Sequence, residues 1–318
     1  MVGFSFFRAT ILARIPFAKP ALSLEEQAIL LAARGLVFEN WADSITHLQH
    51  IGYYRFTGYL HPFKIGAGGA EYYRPGTTFE LVHDRYIFDR KLRMIVLEAV
   101  EKIEIAARSA ISNSVGTKHG PHWYLNRANF AKPNWYARRG FTIEDWHTRF
   151  LTDIESQITR SRDVFIKHYF DKYSDPALPP CWMLFEVLSF GTISECLKFL
   201  KHPEHSEICK RFGLSHQILS SWLHTVSYIR NICAHHSRLW NRVLTIKPTI
   251  PNARRAQFNG ENDRIYAALL AMQILLTAVW ETNHWAEALR SLVDAHPAVP
   301  LASMGFPPNW KDRKEWRF

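Results

Sequence analysis

The sequence predicts an all-α, mainly helical fold. From Thr78 to about Val115 there is neither proline nor glycine, and Leu81, Phe88, Leu92, Val96, Ile103 and Ala110 recur at a helical period. Elsewhere, helix-opening signatures alternate with glycine and proline stops. Only KIGAGGAEYYRPGTTF, Lys64 to Phe79, has the glycine content and Pro75–Gly76 step that suit a loop or a short β-hairpin.

The elements follow in order. Ser23 and Glu26 form a capping box and Gly35 a stop, giving a first helix over 23–34. A second covers 41–50, before Gly52. The block YYRFTGYLHPFK, Tyr53 to Lys64, either packs its aromatic residues inward or offers Tyr54 and Arg55 for stacking on bases. After the glycine-rich segment comes the longest helix, 78 to about 115, in which Arg108 stands four residues after Glu104. That spacing suits a surface ion pair or leaves the arginine for RNA. The loop from Lys118 to Gly140 breaks the pattern.

Thr142 and Asp145 open a helix to about Arg160, and another runs from Asp163 to Lys172. CWMLFEVLSFGTISECLKFL is an apolar helix that bends or restarts at Gly191. Pro203 sits in the first turn of a helix reaching Arg211. Ser215 opens a helix whose apolar residues Ile218, Leu219, Trp222, Leu223, Val226 and Ile229 lead to Arg230. A proline-bearing loop spans about 248–260, and helices cover 262–281 and 284–294. This divides the chain into an N-terminal helical lobe, 1–77, a helical domain, 78–296, and a basic C-terminal tail, 297–318.

With 318 residues, 47% of them hydrophobic, the chain can bury a substantial core. Its net charge of +10 favours a polyanionic partner, and nucleic acid is the abundant one. The pairs Arg138–Arg139, Arg160–Arg162 and Arg254–Arg255, and the tail cations Lys311, Arg313, Lys314 and Arg317, each read as solvated surface before they read as RNA contacts. Cys181, Cys196, Cys209 and Cys233 form neither a CxxC pair nor a dense disulfide framework, which fits a reducing cytoplasm. Arg8 and Arg14 interrupt the apolar N-terminus, so no export leader is expected. The apolar run Ala267–Trp280 is too short for a bilayer and contains Gln273 and Thr277.

The chemistry concentrates in RNICAH, Arg230 to His235, which runs on into HSRLWNR. A guanidinium can hold a phosphate, and an imidazole with an ordinary pKa of about 6.5 moves protons at cellular pH. The spacing RxxxxH alone is weak, and the chain has a second copy, Arg211 to His216. Gly213 and Ser215 place that copy across the end of one helix and the start of the next. The Arg230 copy instead closes a helix whose apolar stripe fixes its orientation.

On an ideal helix five residues turn the chain by about 140°, so Arg230 and His235 do not share a face, whereas Asn231 and His235 do. A two-fold dimer would set the arginine of one copy beside the histidine of the other. With the 2′-hydroxyl as nucleophile, His235 as acid or base and Arg230 on the phosphate, RNA cleavage needs no metal. It leaves 2′,3′-cyclic phosphate and 5′-hydroxyl ends. Asn231 would orient the imidazole or touch phosphate. His236, Arg238 and Asn241 either grip RNA or stabilise the helix end.

Several separate segments also resemble one family. KPALSLEEQAILLAARGL, YYRFTGYLHPF, FDRKLRMIVLEAVEKIEIAARS, PPCWMLFEVLSFGTISECLKFL and RNICAHHSRLWNR are similar to stretches of the Abi-like abortive-infection proteins of the AbiD and AbiF type, within the HEPN ribonuclease superfamily. The resemblance implies a HEPN-type helical bundle that dimerises to form a ribonuclease site, with Arg230, Asn231 and His235 on the catalytic motif. It also implies a toxin that cuts cellular or phage RNA on infection, restrained in some relatives by a small structured noncoding RNA.

No cofactor is expected. His202 and His205 have HxxH spacing and His235 and His236 are adjacent, but no cysteine or carboxylate completes either set and Pro203 interrupts the first. Neither GxxxxGK nor GxSxG occurs, which argues against nucleotide hydrolysis and esterase chemistry. The rivals are a noncatalytic RNA-binding regulator of a phage-defence or toxin–antitoxin system, using the same basic and aromatic surface, and a protein-interaction module that senses phage.

Overall fold

The computed structural model describes residues 16–66, 72–136 and 140–317. Among these, the secondary structure is twelve α-helices, one two-stranded sheet and short 3-10 turns, so the fold is mainly helical as the periodicity predicts. The chain forms two compact units, up to His83 and from Asp84 onward. Arg8, Arg14, Arg138 and Arg139 lie outside the described residues.

In the first unit, α1 is Leu24–Ala33, α2 is Trp41–Ile51 and α3 is Tyr53–Leu60. The capping box is realised at α1: Glu26 N–H donates to Ser23 Oγ at 3.2 Å, and Ser23 N–H to Glu26 Oε2 at 2.7 Å. Gly52, at φ +83°, separates α2 from α3, a backbone turn that a side chain would strain. The aromatic block is thus a short helix with two faces. Phe56, Tyr59 and Leu60 are buried with Ala28, Leu31, Leu48 and Phe79, while Tyr54 is 92% exposed. Of the two forms open to the glycine-rich segment, the hairpin is found: β1, Lys64–Ile65, pairs antiparallel with β2, Tyr72–Tyr73.

Helix α4, Phe79–His119, is the longest element and carries the chain from one unit into the next. Its period-matched residues Phe88, Leu92, Val96, Ala99, Ile103, Ala107 and Ile111 are buried. The second unit continues with α5, Ile143–Arg160, α6, Val164–Lys172, α7, Cys181–Val187, α8, Phe190–Phe199, and α9, Glu204–Phe212. It closes with α10, His216–Ala234, α11, Ile265–Val279, and α12, Trp285–Asp294.

The break between α7 and α8 falls before Gly191. Leu188 turns extended and Ser189 becomes the N-cap, its side chain accepting from Thr192 N–H at 3.2 Å. A serine that can satisfy an orphan helix donor decides the restart, not the glycine two residues on.

Helix α11 is buried along nearly its whole length, which explains the apolar run that begins at Ala267. Among the described residues no helix is long and apolar enough to cross a membrane. The basic segment after 296 is packed within the second unit. Trp310 and Trp316 are buried, and Arg313 donates to the Gln257 carbonyl at 2.6 Å.

Candidate functional site

Helix α10 is buried along one face and ends in an exposed turn. Leu219, Trp222, Leu223, Val226, Ile229, Ile232 and Cys233 are buried, so the stripe read from the sequence fixes the helix against its neighbours. Only Ile218 of that stripe is partly exposed. The last turn closes in a Schellman motif: His236 N–H donates to the Cys233 carbonyl at 3.0 Å and Ser237 N–H to that of Ile232 at 2.9 Å. His236 takes the left-handed position, φ +53°, that glycine usually fills. A side chain there costs on the order of 1–2 kcal/mol, so the surrounding structure holds this turn.

What holds it lies in α4. Asp89, fully buried, accepts Trp240 N–H at 2.6 Å and Leu239 N–H at 3.1 Å and pairs with Arg93, itself buried. The carboxylate therefore ties the chain just beyond RNICAH to the central helix, and the buried Leu239 and Trp240 side chains complete the anchor. Asp89 and Arg93 escaped the sequence reading. Their signal was an i, i+4 acid–base pair inside an otherwise apolar period.

Above this anchor Arg230, Asn231, His235 and His236 are exposed, and Arg238 and Asn241 are half-buried. Arg230 Nη1 donates to Asn231 Oδ1 at 3.3 Å. The guanidinium opens on a cleft of about 290 Å³ formed with Leu97, Glu101, Glu104, Ile105 and Arg108 of α4. Asn231 lies on the border of a second groove, against α8. His235 caps the helix, its N–H donating to the Asn231 carbonyl at 3.0 Å. Among the described residues no hydrogen bond joins the Arg230 and His235 side chains, and Asn231 turns its amide oxygen to Arg230 and not to the imidazole. One chain presents the three groups without closing them into a single cluster.

The remaining candidates are dispersed. Arg108 pairs with Glu104 and donates to the carbonyls of Glu186 at 2.6 Å and Leu188 at 2.8 Å, so it ties the α7–α8 break to α4. Tyr54 and Arg55 are exposed on α3 of the first unit. Tyr228 is a group the sequence reading missed. Burial works against its ionisation, but hydrogen bonds from Thr245 and Arg242 and the charge of Arg242 outweigh that and hold the phenol below the usual tyrosine range.

The four cysteines are buried and free. Burial pushes the Cys233 thiol up to about 12 and that of Cys209 up to about 11, which keeps both protonated and inert. Among the described residues no group of three metal-ligating side chains forms.

A helical protein whose buried, anchored helix ends in an exposed Arg–Asn–His surface is the class that fold and site define. The chain belongs to the Abi-like protein family, which matches residues 46–241 and so takes in α4 with its Asp89 anchor and the whole RNICAHHSRLWN block. Family membership carries an abortive-infection-related role. No curated protein and no solved structure matches the chain.

Proposed function

We propose that the protein is a metal-independent endoribonuclease toxin of abortive-infection defence, of the HEPN type, acting as a homodimer. The observation that carries this reading is the exposure of Arg230 and His235 at the end of a helix whose apolar face is buried and whose following segment is pinned by Asp89. Structure that rigid beneath two exposed ionisable groups suits a surface that must hold a substrate in one geometry.

The chemistry follows from the groups present. The ribose 2′-hydroxyl attacks the adjacent phosphorus, and His235 takes its proton or protonates the departing 5′-oxygen. Arg230 neutralises the charge growing on the phosphate oxygens. Asn231, bonded to Arg230, steadies the guanidinium. His236, Arg238 and Asn241 line the approach to His235 and bind the strand. Arg108 supports the cleft beneath Arg230. Products carry 2′,3′-cyclic phosphate and 5′-hydroxyl ends, and DNA, lacking the nucleophile, survives.

Because Arg230 and His235 do not meet within one chain, the second copy supplies the missing half. Ile105, 57% exposed, lines the Arg230 cleft, and with Met94, 61% exposed on the same helix, it gives that copy an apolar surface to cover. Purified protein incubated with total RNA and EDTA should generate such ends, mapped by end-specific sequencing. Cleavage that needs magnesium refutes the scheme. Mixing inactive Arg230→Ala and His235→Ala subunits should restore activity, since one of the two composite sites is then intact. Mixtures that stay dead reject the shared site.

A second reading has its own support in Tyr54, whose ring is almost wholly exposed beside Arg55. Such a pair can stack on and neutralise single-stranded RNA without cutting it, as in a noncatalytic regulator or in the capture of a small structured RNA that restrains the toxin. Tyr54→Ala with Arg55→Ala should weaken binding of that RNA and leave the ends of cleaved RNA unchanged. Loss of all RNA binding without any cleavage in the parent protein favours the regulator.

A further inference from the structure

Between α8 and α10 lies a groove of about 500 Å³ that core packing does not explain. Its walls are two polar seams with helical spacing: Gly191, Ser194 and Lys198 on α8 face His224, Ser227, Tyr228 and Asn231 on α10. Two tightly packed helices ordinarily fill such a seam with apolar side chains. Here glycine and serine keep it open, and the long polar residues rim it.

Two features suit the groove to an anion. Lys198 is half-buried and close enough to His224 that its charge, added to burial, lowers the histidine's pKa. An anion placed against both supports the lysine's charge and favours the proton that burial and Lys198 work against at His224. Glu195, an exposed carboxylate on the rim, offsets the Lys198 charge in part. Ser194 is 1% exposed and its Oγ has no hydrogen-bond partner, a cost of about 1–3 kcal/mol that a bound acceptor can remove. The volume lies in the range of small-ligand pockets and accommodates one nucleotide.

We propose that the α8–α10 groove is a nucleotide subsite, taking the phosphate of a nucleoside phosphate against Lys198 and His224. Asn231 belongs both to this groove and to the RNICAH motif, so the subsite ends where the cleavage site begins. The ligand is therefore the nucleotide of the RNA strand that flanks the cut. This deepens the ribonuclease reading and rests on it for the identity of the strand, while the anion site itself stands on the groove.

The test uses ligands that cannot be cut. Binding of uridine monophosphate, uridine and a 2′-O-methyl RNA oligonucleotide to the full chain is measured by calorimetry for the parent protein, Lys198→Met and Ser194→Ala. The expected result is monophosphate binding that exceeds uridine binding and falls about 10-fold in Lys198→Met, the loss of one charge-assisted contact. The oligonucleotide should weaken in parallel, and in cleavage assays KM should rise while kcat holds. Ser194→Ala should lose affinity while melting no lower than the parent, because it removes an unpartnered hydroxyl.

In the unmutated protein the His224 ring resonance should move with uridine monophosphate and stay still with uridine, which keeps the proposal testable if a variant misfolds. Weakening of the monophosphate alone assigns the groove to a free nucleotide. A still His224 resonance, or folded variants that bind all three ligands as the parent does, overturns the proposal. The calorimetric, melting and resonance readouts require no cleavage, so a protein that binds the monophosphate and cuts no RNA refutes the ribonuclease reading and leaves the subsite standing.

Discussion

The two RxxxxH segments, Arg211–His216 and Arg230–His235, share a spacing and differ in everything that surrounds it. The first straddles Gly213, which ends α9 in the left-handed region at φ +62°, and Ser215, which caps α10. His216 donates from Nε2 to the Leu197 carbonyl at 2.8 Å and stacks on His205 at 3.8 Å. Burial holds its pKa below the ordinary histidine value. The second lies on the last turns of a helix whose buried stripe and Asp89 anchor leave its polar groups facing solvent. A histidine spent on a carbonyl and a neighbouring ring is structural; one held rigid and left open can act on a substrate. Spacing proposes a site, and support with exposure selects it.

The sharpest way to break this comparison is by substitution. Arg230→Ala or His235→Ala should lower RNA cleavage by on the order of 10²–10⁴-fold while leaving melting within about 0.5 kcal/mol of the parent. Arg211→Ala should leave cleavage unchanged. Equal loss of activity from both segments, measured on the same RNA, would erase the distinction.

Next in size is the anchor. Asp89→Ala takes the carboxylate away from the buried Arg93 and from two backbone donors, and should cost about 3–5 kcal/mol in denaturant unfolding, with cleavage falling alongside. A small cost would mean that the end of α10 stands without α4.

The histidine cluster sharpens the contrast through pH. Burial, followed by the charges of His216 and His202, pushes the pKa of His205 down to about 4, below the value of about 6.5 for an unfolded histidine. The unfolded chain then binds more protons in that window, so this contribution is full above about pH 6.5 and is lost as pH falls toward 4. Unfolding curves should show stability declining over that range, and His205→Leu should flatten the slope. A slope unaltered by the substitution assigns it elsewhere.

The smallest effect belongs to His236→Gly. Relieving the left-handed backbone should raise stability by under about 1 kcal/mol, because the contacts of the imidazole are lost at the same time. If cleavage drops despite the gain, His236 works on RNA and not merely at the helix end.

Much of the helical framework was legible because its signals are local. The Ser23–Glu26 box, the proline-free α4, the Ser215 cap and the apolar stripe of α10 each depend on residues within a turn or two of one another. The block at Tyr53 was harder, since one short helix both packs and exposes its aromatic residues, and either half alone supports a different reading. The restart at Ser189 was misplaced at Gly191 because a cap depends on which donor is left orphaned, and not on composition.

By itself, then, the sequence determined the helices, the face of α10 that must be buried and the polar cluster that must emerge at its end. It also placed the chain among Abi-like proteins. Only the tertiary structure decided that Asp89 would grip Leu239 and Trp240 from 150 positions away, that Arg108 would serve the α7–α8 break, and that two polar seams would enclose a groove beside Asn231. Periodicity and capping are written along the chain, whereas a buried carboxylate finds its donors only when separate helices pack, and no local pattern encodes which ones they will be.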